Sequence, residues 1–114
     1  MKVAVIGSRG LTVKCLGKYL PCETTEIVSG GAKGIDACAR EYAKAKELKL
    51  TEFFPDYRRY GRGAPLKRNL EIVAYADVVL AFWDGTSRGT KFVIDACYKI
   101  GKPISVFDVS CEEF

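Results

Sequence analysis

Hydrophobic residues along the 114-residue chain follow two alternating patterns, short unbroken apolar runs and longer runs with helical spacing. Unbroken runs are typical of buried strands, whereas apolar residues three and four positions apart are typical of amphipathic helices. The unbroken runs predict five strands, at residues 2–6, 26–29, 51–54, 77–83 and 103–107.

The helical spacing predicts four helices, at residues 12–20, 35–48, 66–76 and 90–101. Their predicted apolar stripes are Val13, Leu16 and Leu20; Ile35, Cys38, Ala39, Tyr42 and Ala43; Leu66, Leu70 and Val73; and Phe92, Ala96 and Ile100. Gly101 is expected to end the last helix. The glycines and the proline of residues 56–65 predict a loop, and Tyr42, Phe53 and Phe54 are predicted to lie in the core.

Near-continuous apolar strands that alternate with amphipathic helices predict an α/β fold. Its parallel five-stranded sheet would be covered by helices on both faces, giving three layers. The chain length suits a single domain, residues 1–114, with one modest core.

The composition narrows the possible chemistry. No apolar run approaches the roughly 20 residues of a transmembrane helix, and the amino terminus lacks a signal-peptide pattern. We therefore expect a cytoplasmic protein without a membrane partner. The chain has no histidine, which excludes Ser-His-Asp and Cys-His pairs and every histidine metal site. Its five cysteines form no CxxC pair, so we expect reduced, mostly buried thiols and no metal.

Three glycine-bearing loops, residues 7–10, 29–34 and 84–89, each follow a predicted strand. Ligands of open parallel sheets bind beyond the carboxyl ends of the strands. Residues 30–34 and 85–90 also open helices, where backbone N–H groups and the helix dipole favour phosphate. A single such loop would suit a tight turn equally well, but three together favour a phosphate or nucleotide. Neither GxxxxGK[ST] nor GxGxxG occurs, which disfavours a P-loop motor or an ordinary NAD dehydrogenase.

The predicted ligand-binding residues are those of the three loops and of the start of the third helix. They are Gly7, Ser8, Arg9, Gly30, Gly31, Ala32, Lys33, Gly34, Asp36, Arg68, Asn69, Asp84, Gly85, Ser87, Gly89 and Thr90. Ser8, Arg9 and Arg68 are expected to supply directed donors, because a guanidinium binds phosphate strongly when two N–H groups reach it.

Two side chains near this edge have more than one interpretation. Asp36 either caps its helix or accepts hydrogen bonds from ribose hydroxyls or from the N–H groups of its own loop. Trp83 either stacks on a base at the rim of the site or packs within the protein.

A basic segment follows the third predicted strand. Its cations and tyrosines are Tyr57, Arg58, Arg59, Tyr60, Arg62, Lys67 and Arg68. Cations interleaved with aromatic rings can hold single-stranded nucleic acid, but a solvated loop explains the same composition. The mild net charge of +4 argues against nucleic acid as the main partner.

The runs "VIGSRG", "IVSGGAKGIDACAREYA", "FPDYRRYGRGAPLKRN", "ADVVLAFWDGTSRGT" and "GKPISVF" together resemble the SLOG superfamily, which is named after the SMF/DprA and LOG proteins. The chain looks most similar to the YspA-like, cpYpsA-related branch. The resemblance implies a Rossmann-like fold that binds nucleotides or nucleotide-derived ligands. Members of that branch are proposed to be ligand sensors or nucleotide-processing enzymes.

The LOG relatives are phosphoribohydrolases with a PGGxGTxxE motif, whose glutamate is catalytic, and an arginine on the preceding helix. Gly85, Gly89 and Thr90 match that motif loosely and Arg68 matches the arginine, but Phe92 and Val93 occupy the turn of the glutamate. Asp36 or Asp84 would have to replace it, which leaves Asp36, Asp84 and Arg68 as catalytic candidates.

The sequence thus supports three hypotheses. The first is the binding of a nucleotide or nucleotide-derived ligand, for example as a sensor, with no required cofactor. The second is a LOG-like nucleotide hydrolase, and the third is single-stranded nucleic-acid binding by analogy with the SMF/DprA relatives. Self-association suits this kind of fold, although no residue specifies an interface.

Overall fold

The computed structural model describes residues 1–8, 10–31 and 33–108 of the chain. Five parallel strands form one sheet with the order β3-β2-β1-β4-β5. These strands are β1 (Lys2–Gly7), β2 (Glu26–Ser29), β3 (Lys49–Glu52), β4 (Val78–Trp83) and β5 (Ile104–Asp108). The helices are α1 (Ile35–Ala45), α2 (Tyr57–Tyr60), α3 (Ala64–Tyr75) and α4 (Arg88–Ile100).

Alternate residues of the strands pack on opposite faces of the sheet. Val3 and Val5 of β1 belong to a cluster with Ile35, Ala39 and Ala43 of α1. Ala4 and Ile6 of β1 belong to a second cluster with residues of α3 and α4, namely Ile72, Val73, Ala76, Val93, Ile94 and Cys97. The predicted α/β fold, a parallel five-stranded sheet between two helical layers, is therefore confirmed and is Rossmann-like.

The predicted first helix, residues 12–20, is wrong. This segment forms only a short 3₁₀ turn, Leu16–Tyr19. Val13 and Leu16 are nevertheless buried, as their spacing indicated. The β-branched Thr12 and Val13, the flexible Gly17, and Pro21, which disfavours helical geometry at Leu20, together explain why no α-helix forms.

The predicted loop at residues 56–65 is also wrong, because it contains α2, a 3₁₀ turn (Gly61–Gly63) and the first turn of α3. Asp56 starts α2 by accepting a hydrogen bond from the Arg59 N–H at 3.2 Å. Pro65 lies in the first turn of α3, where a proline is tolerated because its missing N–H would have no helical partner.

Several predicted core positions shift. Phe54 is 63 % exposed, and Leu66, Leu70 and Ile100 are exposed as well. The buried stripes are instead Ile72, Val73 and Ala76 around α3, and Thr90, Val93, Ile94 and Cys97 on α4. Both helices have apolar residues on more than one side, so their spacing alone did not select the face that meets the sheet. The predicted stripe of α1 is confirmed for Ile35, Ala39 and Ala43, whereas Cys38 and Tyr42 are half-buried. The role of Gly101 after α4, with φ of 76°, is confirmed.

The cysteines only partly match the prediction of buried thiols. Cys97 is buried and Cys38 is half-buried, but Cys15 and Cys22 are exposed. These four thiols are free, and Cys111 lies outside the described residues. None of the helices that the structure describes has both the length and the hydropathy needed to cross a bilayer.

Candidate ligand-binding site

A pocket of about 380 Å³ opens at the carboxyl ends of β1, β2 and β4. The chain winds to β2 and β3 on one side of β1 and to β4 and β5 on the other. The boundary between β1 and β4 is thus the topological switch point, where open α/β sheets bind their ligands. The pocket is lined by Ile6, Gly7, Ser8, Gly30, Asp36, Pro65, Leu66, Arg68, Asn69, Ile72, Asp84, Ser87, Gly89, Thr90 and Val93.

The end of β1 is packed too tightly for any residue but glycine at position 7. A Cβ on Gly7 would lie 2.5 Å from Ile35 Cγ1 and 2.6 Å from the Phe82 carbonyl oxygen. The next residue, Ser8, donates its backbone N–H to the same carbonyl at 3.1 Å. Gly7 therefore brings β1 against β4 and directs Ser8 into the floor of the pocket.

The Ser8 hydroxyl is the unusual polar group of the pocket. Ser8 is only 2 % exposed, and its Oγ is buried without a hydrogen-bond partner among the described residues. The hydroxyl is near enough to Asp84 to contribute slightly to the lowering of the pKa of that carboxyl, but not in hydrogen-bond geometry. Buried polar groups are nearly always hydrogen-bonded, so an orphaned hydroxyl facing a pocket indicates a missing partner there.

Asp84 organises the loop between β4 and α4. Its Oδ1 accepts hydrogen bonds from the backbone N–H groups of Thr86 and Ser87, both at 2.8 Å, and from the Thr86 hydroxyl at 3.1 Å. The Thr86 N–H, followed by that of Ser87, holds the pKa of Asp84 below its ordinary value, against a smaller opposing effect of desolvation. Asp84 therefore stays ionised and serves its own loop, and a general-acid role does not suit it.

The amino-terminal end of α4 forms the wall opposite the β2 loop. Ser87 is the N-cap, and its Oγ accepts a hydrogen bond from the Thr90 N–H at 3.4 Å. The N–H groups of Arg88 and Gly89 belong to the first turn, which has no helical acceptors for them. Apart from the backbone of its own helix, a Cβ added to Gly89 would meet no atom of the described residues within 4 Å, so packing among these residues does not require glycine at this position of the pocket wall.

Hydrogen bonds from Arg68 of α3 fix the position of the loop after β2. Arg68 Nη1 donates to the carbonyl oxygens of Gly30 at 2.8 Å and of Phe53 at 3.1 Å, while its Nε donates to Asn69 Oδ1 at 2.7 Å. A Cβ on Gly30 would lie 2.6 Å from that Nη1 and 3.1 Å from Asp36 Oδ2. Gly30 is therefore glycine because two charged side chains approach its backbone.

Asp36 does not occupy the capping position that one interpretation gave it. The N-cap of α1 is Gly34, with φ of 69°, and Asp36 follows in the first turn. The Asp36 side chain is buried and lines the pocket beside Arg68. The other predicted roles of Asp36, as an acceptor for ribose hydroxyls or for the N–H groups of its own loop, stay predictions.

The structure brings ten of the predicted site residues together in the pocket lining. They are Gly7, Ser8, Gly30, Asp36, Arg68, Asn69, Asp84, Ser87, Gly89 and Thr90. Among the other predicted residues that the structure describes, Gly31, Lys33, Gly34 and Gly85 are not part of the lining. Arg9 and Ala32 lie outside the described residues.

Sequence reasoning missed the apolar wall of the pocket, formed by Ile6, Pro65, Leu66, Ile72 and Val93. Helical spacing offered a signal for part of it, since Ile72 follows Arg68 by four residues and shares its face of α3. Trp83, by contrast, packs against the second core cluster and donates its Nε1–H to the Ser87 carbonyl at 3.0 Å. It is not among the lining residues, which favours the packing interpretation.

Comparison with known proteins places the chain in a family. No family model and no solved structure matches it. The Gene 61 protein of Mycobacterium phage D29 is 36 % identical over an alignment of 87 residues, and the match covers 71 % of this chain and 70 % of the phage protein. The chain belongs to the family of that protein. The name Gene 61 protein states neither a ligand nor a reaction, and the resemblance to the SLOG superfamily stays a prediction.

Proposed function

We propose that the pocket binds a nucleotide or a nucleotide-derived ligand, with a phosphate at the amino-terminal end of α4. The observation that carries the proposal is the buried hydroxyl of Ser8 in the lining of the pocket, which has no hydrogen-bond partner in the described part of the chain. Phosphate oxygens accept hydrogen bonds, and Ser8 with the first-turn N–H groups of α4 offers donors of two kinds to one anion.

The remaining walls suit the other parts of a nucleotide. Pro65, Leu66 and Ile72 give an apolar surface of the kind that covers a base, while Asp36 gives an acceptor for ribose hydroxyls. A volume of about 380 Å³ is near the lower end of the roughly 300–1,000 Å³ typical of small-molecule sites. This size favours a mononucleotide over a dinucleotide cofactor.

Calorimetry with a panel of mono-, di- and sugar nucleotides tests the proposal, with Ser8→Ala as the deciding variant. Because Ser8 Oγ has no hydrogen-bond partner among the described residues, Ser8→Ala should leave the free energy of unfolding unchanged or raise it. The substitution should weaken ligand binding roughly tenfold or more, because a hydrogen bond to a charged group contributes about 1.5–3 kcal/mol to the binding free energy. Ser105→Ala, on the exposed part of β5, is the matched control and should change neither.

Two outcomes would count against nucleotide binding. One is the failure of every nucleotide at millimolar concentration to bind or to stabilise the protein. The other is a ligand whose affinity is the same for the wild-type protein and Ser8→Ala, since such a ligand would bind elsewhere.

A second candidate is hydrolysis of the N-glycosidic bond of a nucleoside monophosphate. Asp36 favours it, because this carboxylate is buried and lines the pocket where a ribose would lie under our proposal. Asp84 is a poorer candidate for this hydrolysis, because its Oδ1 already accepts hydrogen bonds from the N–H groups of its own loop. Analysis of the same nucleotide panel for released base tests this candidate, and the absence of release from any tightly bound ligand would exclude it.

A further inference from the structure

We infer that the surface formed by α2 and the start of α3 binds single-stranded nucleic acid. This basic surface consists of Tyr57, Arg58, Arg59, Tyr60, Arg62 and Lys67. It adjoins the pocket, because Pro65 and Leu66, which line the pocket, lie between Arg62 and Lys67 in the chain. The inference does not depend on what the pocket binds.

The positive charge of the basic surface is not neutralised by any acidic side chain that the structure describes. Arg58, Arg59, Arg62 and Lys67 are exposed, and none of them forms an ion pair with an acidic side chain of the described residues. Elsewhere on the molecule Arg40 pairs with Glu52 and Lys91 with Asp95. Asp56, the acidic neighbour in the chain, caps α2 through its Oδ1.

The two tyrosines of the basic surface differ in their surroundings: Tyr60 contacts two cations of the surface, whereas Tyr57 is exposed. The Tyr60 ring lies 5.3 Å from the guanidinium carbon of Arg59 and 5.6 Å from Lys67 Nζ, so it joins a cation of α2 to a cation of α3. This arrangement holds two charges in place before any ligand arrives. Tyr57 is 58 % exposed, and the nearby Phe54 is 63 % exposed.

This combination fits an unpaired strand better than a duplex or an acidic protein. Exposed aromatic rings stack on bases, which are accessible only in single strands, while adjacent cations follow the phosphates. Stacking depends little on base identity, so the surface should bind with little sequence preference. An acidic peptide would satisfy the cations but would leave Tyr57 without a specific role.

The test is fluorescence anisotropy with a labelled oligothymidylate of about 10 nucleotides, measured over a range of salt concentrations. The charge variant is Arg58→Gln/Arg59→Gln/Arg62→Gln. Its matched control, Lys14→Gln/Lys44→Gln/Lys46→Gln, removes three exposed charges elsewhere. Each phosphate contact contributes about 0.7 to the slope of log K against log salt. The charge variant should therefore lower that slope by about 2 and the control should leave it unchanged.

Stacking is tested separately from charge. Tyr57→Leu should weaken binding at least fivefold, roughly the smallest effect expected for one stacked base, whereas Tyr57→Phe should bind like the wild-type protein. Absence of binding by the wild-type protein at low salt would overturn the inference. It would also be overturned by equal losses in the charge variant and its control, by equally tight binding of duplex DNA or polyglutamate, or by normal binding of Tyr57→Leu.

Discussion

Arg68 connects three parts of the chain that are distant in sequence. Its side chain joins α3 to the backbone after β2, through the Gly30 carbonyl, and to the backbone after β3, through the Phe53 carbonyl. The sequence suggested that this guanidinium would be directed at a phosphate. Two of its nitrogens instead donate to protein oxygens, so Arg68 shapes the wall of the pocket whether or not it also meets a ligand.

Arg68→Met should therefore destabilise the protein in the absence of any ligand. The substitution keeps an apolar stem but leaves the Gly30 and Phe53 carbonyls without their donor. Each unsatisfied buried group costs about 1–3 kcal/mol, so we expect a loss of about 2–4 kcal/mol in urea unfolding. Arg58→Met, on the exposed face of α2, should stay within about 0.5 kcal/mol of the wild-type value. Equal effects of the two changes would show that Arg68 has no such structural role.

For two single residues, Ser8 and Asp84, the sequence did not predict the surroundings that the structure shows. Ser8 was predicted at the site because it follows a strand, but the lack of a partner for its hydroxyl arises only when β1, β4 and α4 meet. Asp84 was a candidate acid, although the run Asp-Gly-Thr-Ser is typical of a turn in which the aspartate accepts nearby N–H groups. That local signal could have revealed its role.

At the scale of elements, α4 supplies the end of the pocket where we propose that the phosphate binds, and a substitution at Gly89 tests this proposal. Alanine is favoured over glycine in a helix by about 1 kcal/mol, and a Cβ at position 89 would meet no described atom outside its own helix within 4 Å. Gly89→Ala should therefore raise the free energy of unfolding. The new methyl group would occupy space beside the first turn, so we expect nucleotide affinity to fall tenfold or more, about 1.4 kcal/mol.

Gly63→Ala is the matched control for that experiment. Gly63 lies just before α3 with φ of −81°, and it is not among the residues lining the pocket. Beyond its neighbours in the chain, a Cβ there would also meet none of the described atoms within 4 Å. It should change stability little and leave binding intact. Thermal unfolding and calorimetry measure both quantities on the same samples. If Gly89→Ala binds nucleotides as tightly as Gly63→Ala, the phosphate does not lie against α4.

The elements themselves were predictable where one pattern dominated. The apolar run of β4 and the stripe of α1 each permit a single interpretation. Residues 12–20 had helical spacing but poor helix formers, and tertiary packing buried Val13 and Leu16 without an α-helix. In α4, two alternative apolar faces were compatible with the sequence, and only contact with the sheet distinguished them.

At the scale of the whole molecule, the two ends of the parallel strands carry different groups. The pocket lies at the carboxyl ends of the strands, whereas a polar cluster around the buried Glu26 lies at their amino ends. Glu26 Oε2 accepts hydrogen bonds from the Thr51 and Tyr75 hydroxyls, both at 2.6 Å. Lys49 Nζ lies 3.8 Å from Oε1. This carboxylate therefore joins β2 to β3 and to α3 at the end of the sheet remote from the pocket.

The cluster makes the stability of the whole fold depend on acid. Desolvation raises the pKa of Glu26, but the Thr51 and Tyr75 hydroxyls and the charges of Lys49 and Lys2 together outweigh it, so the pKa lies below its ordinary value of 4.5. A carboxyl with a lowered pKa adds stability at pH values above 4.5, and this contribution is lost as the pH falls through its folded-state pKa.

Glu26→Gln should therefore be less stable than the wild-type protein at pH 7, by about 1–2 kcal/mol for the weakened hydrogen bonds. The difference should be constant down to about pH 5 and should shrink at lower pH, because only the wild-type protein loses the Glu26 contribution there. Urea unfolding across this pH range measures it. Glu41→Gln, on the exposed side of α1, should follow the wild-type curve. A difference that widened as the pH fell would contradict the lowered pKa, and nucleotide affinity at pH 7 should be unchanged in both variants.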